Sequence, residues 1–112
     1  MVAIDQAWLD GRAASLQVDR PGATVLVEYT VTGGDDGDVV FHLELTDGTG
    51  VARLGGVADA DFTMRCSTED FAAQVSGDLA PEVGYMQGRI KVTGNVGRML
   101  SVLPLLNWVR ET

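Results

Sequence analysis

Residues 77–95 are Gly-Asp-Leu-Ala-Pro-Glu-Val-Gly-Tyr-Met-Gln-Gly-Arg-Ile-Lys-Val-Thr-Gly-Asn, and this stretch decides the fold. Proline is well tolerated at the first position of a helix, so Pro81 predicts a short helix over residues 81–87. Apolar and polar residues then alternate over residues 89–93, which predicts a strand. The stretch contains no nucleophile beside a base, no cluster of metal ligands and no phosphate-binding loop. This stretch therefore indicates binding of an apolar ligand rather than catalysis.

The same alternation predicts four earlier strands, each with one apolar and one polar face. Glycine and aspartate between them suit hairpin turns. The strands are predicted at residues 24–32, 39–46, 51–54 and 60–66, and the turns at 33–38 and 47–50. Helices must then cover the apolar face. The pattern predicts an α+β fold with a five-stranded, mainly antiparallel sheet that is covered on one face by helices.

Helical periodicity and capping residues predict three further helices. The first covers residues 3–14. The second covers residues 68–76, with Ser67 as the N-cap and Gly77 at its end. The third follows the N-cap Asn95, and Pro104 ends or kinks it. Phe71 and Val75 lie one helical turn apart, so Phe71 is predicted to be a central core residue.

Composition and charge limit the classes of function. The chain has 112 residues and is 46% hydrophobic, which predicts one domain over residues 1–112. Its net charge of −8 argues against nucleic acid and anionic membranes as partners. No apolar run is long enough for a membrane span, and the start lacks a signal-peptide pattern, so we expect a cytoplasmic protein. Arginine outnumbers lysine, which favours a bacterial source.

Candidate catalytic groups are sparse. His42 is the single histidine and is predicted to lie on a polar strand face, while the lone Cys66 is predicted to be buried. Asp59 and Asp61 share a solvated face with Arg65. One histidine and one cysteine cannot form a metal site by themselves. The sequence therefore predicts no enzyme, no metal and no cofactor.

Apolar side chains are more abundant in the helices than a small core requires. The segment around Pro104 is apolar on nearly all sides, so it must be buried, bind a partner or cover a ligand. As a lid, its Leu105, Leu106 and Trp108 would close the mouth of a cavity. The predicted ligand-binding residues are Phe71, Val75, Leu79, Val83, Met86, Met99, Leu100, Leu103, Leu106 and Trp108.

Two runs are similar to the hallmark of a known family. Gly77 to Pro81 resembles its Gly-x-Leu-Asn/Asp-Pro run, and Tyr85 to Asn95 resembles its Phe-Met-Gln-Gly-Lys-Leu-Lys-Ile-x-Gly-Asn/Asp run. The chain thus resembles the sterol carrier protein type 2, or sterol-binding domain, family, as a free-standing bacterial-type member. The resemblance implies an apolar cavity between sheet and helices that takes fatty acid, fatty acyl-CoA, sterol or a similar lipid. It also implies transport without catalytic residues.

Three departures from the family pattern accompany this interpretation. The region before Val25 is short, so an abbreviated N-terminal helix is expected. Ala80 replaces the Asn or Asp that would cap the Pro81 helix, at a cost of about 1 kcal/mol. The acidic charge differs from that of basic members that meet anionic membranes.

Two alternative functions accompany this interpretation. One alternative is an accessory module that presents lipophilic intermediates to a lipid-processing enzyme; the other is a small isomerase-type enzyme. The sequence leaves open the lipid, a homodimer and the partner enzyme.

Overall fold

The computed structural model describes residues 4–14, 16, 24–34, 37–47 and 49–111. The elements, in chain order, are α1 (Gln6–Ala14), β1 (Val25–Gly34), β2 (Gly37–Thr46), β3 (Thr49–Leu54), β4 (Phe62–Ser67), α2 (Thr68–Ser76), α3 (Pro81–Met86), β5 (Lys91–Gly94), α4 (Val96–Ser101) and a C-terminal 3₁₀ helix (Leu103–Val109). The predicted α+β class is confirmed. The bounds of α2 are those predicted, and the strand ends differ by at most two residues from the prediction. The first helix, predicted over residues 3–14, begins at Gln6 and ends at Ala14 as predicted; residue 3 lies outside the described part.

The strands form one sheet in the order β3-β2-β1-β4-β5. β2 is antiparallel to both β1 and β3, and β5 is antiparallel to β4. The pair β1–β4 is parallel, with Tyr29 opposite Met64. A mainly antiparallel sheet is therefore confirmed, with one parallel pair at its centre.

The parallel pair results from the route of the chain between β3 and β4. Residues 55–61 pass over the polar face of the sheet, where the Val57 amide donates to Glu28 Oε2 at 3.2 Å. The Asp61 amide then donates to the Leu26 carbonyl at 2.8 Å. This crossing returns the chain to the starting end of β1, so β4 runs in the same direction as β1.

The core lies on the opposite face of the sheet, where alternate strand residues meet the helices. In β1 the inward positions are buried at Val25, Val27, Tyr29 and Val31, while the residues between them are half-buried. β2 and β4 repeat the pattern. Period-two burial of this kind is expected for a sheet with one side packed on a core.

Local capping fixes the helices that face this core. The Ser67 hydroxyl accepts from the Asp70 amide at 3.1 Å at the start of α2. Gly77 ends α2 with φ +88°, a left-handed conformation that favours glycine. The Asn95 side chain caps α4 in the same way as Ser67 caps α2. Ala80 offers no side-chain cap to α3, as expected from its methyl side chain.

The break before the C-terminal segment comes earlier than predicted. α4 ends at Ser101, and Pro104 lies near the start of the 3₁₀ helix rather than at a terminus. Proline has no amide hydrogen and its ring clashes with the carbonyl four residues earlier. The α-helix therefore ends at Ser101, before it would reach the position of this clash. The chain continues in the tighter turns of a 3₁₀ helix.

The outer edge of β3 is covered by a side chain of α1. Gln6 Nε2 donates to the Ala52 carbonyl at 2.8 Å. Gln6 Oε1 accepts from the Leu54 amide at 3.1 Å. The side-chain amide thus bonds two backbone groups that point away from β2.

Candidate functional site

The interior between sheet and helices contains five aromatic rings that contact one another, which we term the aromatic cluster. Tyr29 stacks on Phe41 with ring centroids 4.8 Å apart and planes 6° apart. Trp108 meets both rings edge-on, at 5.9 and 6.2 Å. Phe71 lies edge-on to Phe41 at 5.8 Å and to Trp8 at 5.9 Å. Stacked and edge-to-face pairs are the favoured aromatic geometries, so the cluster ties α1, α2 and the 3₁₀ helix to the sheet.

One hydrogen bond lies inside the aromatic cluster. The Trp108 indole Nε1 donates to the Tyr29 hydroxyl oxygen at 3.0 Å. Tyr29 is 3% exposed and Trp108 is 4% exposed. Burial raises the pKa of the Tyr29 hydroxyl, against the lowering effect of the Trp108 hydrogen bond, and the nearby Cys66 thiol raises it further. The hydroxyl is therefore neutral at physiological pH and carries a hydrogen that can be donated.

A second polar contact of the interior joins α2 to β4. Gln74, on the inner face of α2, donates from Nε2 to Cys66 Sγ at 3.6 Å. Burial raises the pKa of the Cys66 thiol to about 11, with the Gln74 hydrogen bond acting in the opposite direction and Asp70 adding to the rise. The prediction that Cys66 is buried is confirmed. A thiol that stays protonated is a weak nucleophile.

The structure brings seven of the ten predicted ligand-binding residues to the interior. Six are buried, namely Phe71, Val75, Leu79, Met99, Leu106 and Trp108, and Leu103 packs against them at half-burial. Val83, Met86 and Leu100 are not brought there: they are 42%, 84% and 50% exposed. In the short helix α3, Pro81 and Gly84 occupy the inward positions instead.

The C-terminal segment is packed as core. Leu106 and Val109 are each 1% exposed, and the Glu111 amide donates to the Val75 carbonyl at 2.8 Å. Leu106 and Trp108 are buried and Leu105 is half-buried, so these three side chains do not form an exposed apolar patch for a partner protein. Residues 103–109 close this side of the interior because their buried side chains are part of the core.

Candidate catalytic residues stay apart. His42 Nδ1 lies 2.9 Å from the Gly55 carbonyl on the polar face of the sheet. Asp61 Oδ2 accepts from the Leu26 amide at 2.8 Å, so this carboxylate has a structural contact. Among residues 4–14, 16, 24–34, 37–47 and 49–111, no group of three His, Cys, Asp or Glu side chains is placed to hold a metal ion.

Two interior polar residues were not predicted as site residues. The alternation over residues 24–32 puts Tyr29 on the same apolar face as Val27 and Val31, and a hydroxyl on such a face indicates a candidate site residue. Gln74 lies three residues after Phe71 and next to Val75, so helical spacing puts it on the buried side of α2.

Over the described residues, no helix is both long and apolar enough to cross a membrane.

The fold defines an α+β class of domain, in which helices cover one face of a five-stranded mixed sheet and the buried side chains between them are almost all apolar. The chain belongs to the SCP-2 sterol transfer family, whose model matches residues 9–107.

Known proteins agree with this assignment. Hydroxysteroid dehydrogenase-like protein 2 from Bos taurus is 35% identical over 94 residues, which are 83% of this chain and 22% of that protein. Sterol carrier protein 2 from Homo sapiens is 29% identical over 70 residues, 62% of this chain and 13% of that protein. The structure of palmitated SCP2L2 from Aedes aegypti is similar in fold, with a TM-score of 0.69 and 18% identity over 88% of this chain and 86% of that one. The chain spans about a fifth of the length of the first of these relatives.

Proposed function

We propose that this chain binds an apolar or amphipathic small molecule between its sheet and its helices, and carries it without chemical change. The observation that supports this best is the composition of the interior. Among the described residues that are buried, Gln74 is the one polar or charged side chain outside the aromatic and thiol groups. An interior of this kind favours lipid chains and gives no acid–base pair to a reaction.

The aliphatic part of the interior is the proposed place of the lipid chain. Met64 and Met99 are buried there, at 3% and 0% exposure, with α4 against β4. Methionine is unbranched and adapts to irregular shapes, so it can move aside for an acyl or ring system with little strain. Leu79 and Leu103 would line the same region, and the exposed Val83, Met86 and Leu100 would form its rim.

Family membership supports the same conclusion. The family is described as a sterol transfer family, and the Aedes aegypti relative was solved in palmitated form. Fatty acids, fatty acyl-CoA and sterols are therefore the ligands to test first. The cytoplasmic location, the absence of catalysis and the single domain remain predictions that belong to this proposal.

Native mass spectrometry of freshly purified protein tests the proposal directly. A carrier should retain a lipid from the expression host, visible as a mass increment that disappears on delipidation. Fluorescence then measures rebinding. Trp8→Phe leaves Trp108 as the single tryptophan, and its emission should change when palmitate or a sterol enters the neighbouring interior. A chain with no retained lipid and no response to either compound would refute the carrier function.

The accessory role remains a second candidate because of the relatives' lengths. The relative from Bos taurus is several times longer than the matched segment, and its name describes a dehydrogenase-like protein. As an accessory module, this domain would hold a substrate near a separate enzyme. A pull-down that depends on the exposed Met86 side chain, with an unchanged lipid affinity, would favour this role over free transport.

A further inference from the structure

The Tyr29 hydroxyl is a buried group that can both accept and donate a hydrogen bond. It accepts from Trp108 Nε1 at 3.0 Å, which fills one side of the oxygen. A hydroxyl can donate one hydrogen bond as well as accept, so this group can bind a ligand oxygen and keep the Trp108 bond.

The Trp108 bond also strengthens this donor. A hydroxyl whose oxygen accepts a hydrogen bond is polarised and donates more strongly, an effect that grows in a medium of low dielectric constant. The stack on Phe41 and the edge contact of Trp108 fix the tyrosine ring, so its hydroxyl is held in one place. A fixed and polarised donor binds a ligand oxygen without first paying the entropy of ordering a side chain.

A second polar group, Gln74, is connected to this region through Cys66, whose thiol interacts electrostatically with the Tyr29 hydroxyl. Gln74 is 4% exposed, and its amide is bonded to the Cys66 sulfur, a weak acceptor, at 3.6 Å. Exchange of that bond for one to a ligand oxygen would cost little. The amide offers a further N–H and a carbonyl oxygen. Tyr29 and Gln74 thus provide two neutral polar groups in an interior that is otherwise apolar.

The charge of the interior decides which ligand end fits. In the described residues, the buried set contains no Lys, Arg, His, Asp or Glu side chain. An ionised carboxylate taken there would lose its hydration without gaining a cation, which disfavours its binding. An uncharged oxygen loses much less and gains the Tyr29 hydrogen bond.

We propose that Tyr29, held by Trp108 and assisted by Gln74, binds the polar end of the carried molecule, and that this end is an uncharged oxygen. The ligand class is thereby narrowed to long-chain alcohols, ketones and similar neutral amphiphiles, ahead of ionised fatty acids. This inference rests on the proposed carrier function and adds the orientation of the ligand to it: polar end at β1, chain towards β4 and α4.

Three probes of one chain length test the inference: 1-hexadecanol, hexadecane and hexadecanoate, the last at pH 8. Wild-type protein should bind the alcohol about three- to ten-fold more tightly than the alkane, as one net hydrogen bond implies. It should also bind the alcohol more tightly than the ionised acid. Tyr29→Phe should abolish the preference of alcohol over alkane and keep the alkane affinity. Tyr85→Phe removes the chain's other tyrosine hydroxyl and should keep the preference.

A spectroscopic measurement on the wild-type protein needs no variant. The chain has two tryptophans, so a ¹⁵N spectrum has two indole signals. The alcohol should shift the Trp108 signal, through Tyr29, and leave that of Trp8, whose Nε1 donates to Glu111 at 2.8 Å. An unshifted Trp108 signal, or a preference that survives in Tyr29→Phe, would overturn the inference and leave the carrier function standing. Failure of all three probes to bind would refute both.

Discussion

Replacement of Phe71 by alanine should remove a large part of the stability of this domain. The Phe71 side chain is 2% exposed, and its ring contacts Trp8 at 5.9 Å and Phe41 at 5.8 Å between centroids. Phe→Ala at a fully buried site costs about 3–5 kcal/mol, because the transfer energy of the ring is lost and a cavity remains. The two edge contacts place the expected loss in the upper half of that range, since each aromatic pair adds about 0.5–1.5 kcal/mol.

A loss of this size is measurable by two methods. Small domains are stable by about 5–15 kcal/mol, so about a quarter or more of the total would be lost. In urea, the midpoint should fall with an unchanged slope, and the melting temperature should fall by about 12–20 °C. Met86→Ala is the control, because Met86 is 84% exposed and the change should stay within about 0.5 kcal/mol. A Phe71→Ala loss below about 1 kcal/mol would refute the orientation of α2.

Three further predictions concern a cap, a thiol and a histidine. Ser67→Ala should destabilise by about 1 kcal/mol in urea, whereas Ser67→Asp, which retains a capping oxygen, should not; equal losses would exclude a capping role. The free energy of unfolding should fall as pH rises from the ordinary thiol pKa of 9.0 towards about 11, because the folded state keeps the Cys66 thiol protonated. Cys66→Ser, measured over the same pH range, should show a shallower fall, and an identical fall would place the titrating group elsewhere. His42→Ala should leave palmitate affinity within a few-fold, and any turnover that depended on His42 would contradict a carrier without catalysis.

Local signals explain which parts of the fold were predictable. Both ends of α2 were predicted, because Ser67 caps the helix and Gly77 takes the left-handed conformation within the same short segment. Strand alternation likewise identified the inward residues of β1, including Tyr29. The parallel pairing of β1 with β4 was not predictable in this way. It depends on the route of residues 55–61 across the sheet, which involves contacts of high sequence separation.

The candidate site was predicted in part for the same reason. Apolar content identified Phe71 and Met99 as interior residues, but it could not orient a helix as short as α3. Pro81 and Gly84 face inward there, and Met86 faces solvent. The hydrogen bond between Tyr29 and Trp108 joins residues 79 positions apart, so no local pattern could indicate it.

The contact of Gln6 with β3 has a consequence for association between molecules. An uncovered edge strand offers its amides and carbonyls to any extended chain, and this is how sheets add strands from neighbouring molecules and begin to form fibrils. Gln6 satisfies the Ala52 carbonyl and the Leu54 amide with the donor and acceptor pattern of a single strand residue. One side chain of α1 thereby occupies two backbone groups of the edge strand, which disfavours pairing of that edge with a strand of another molecule.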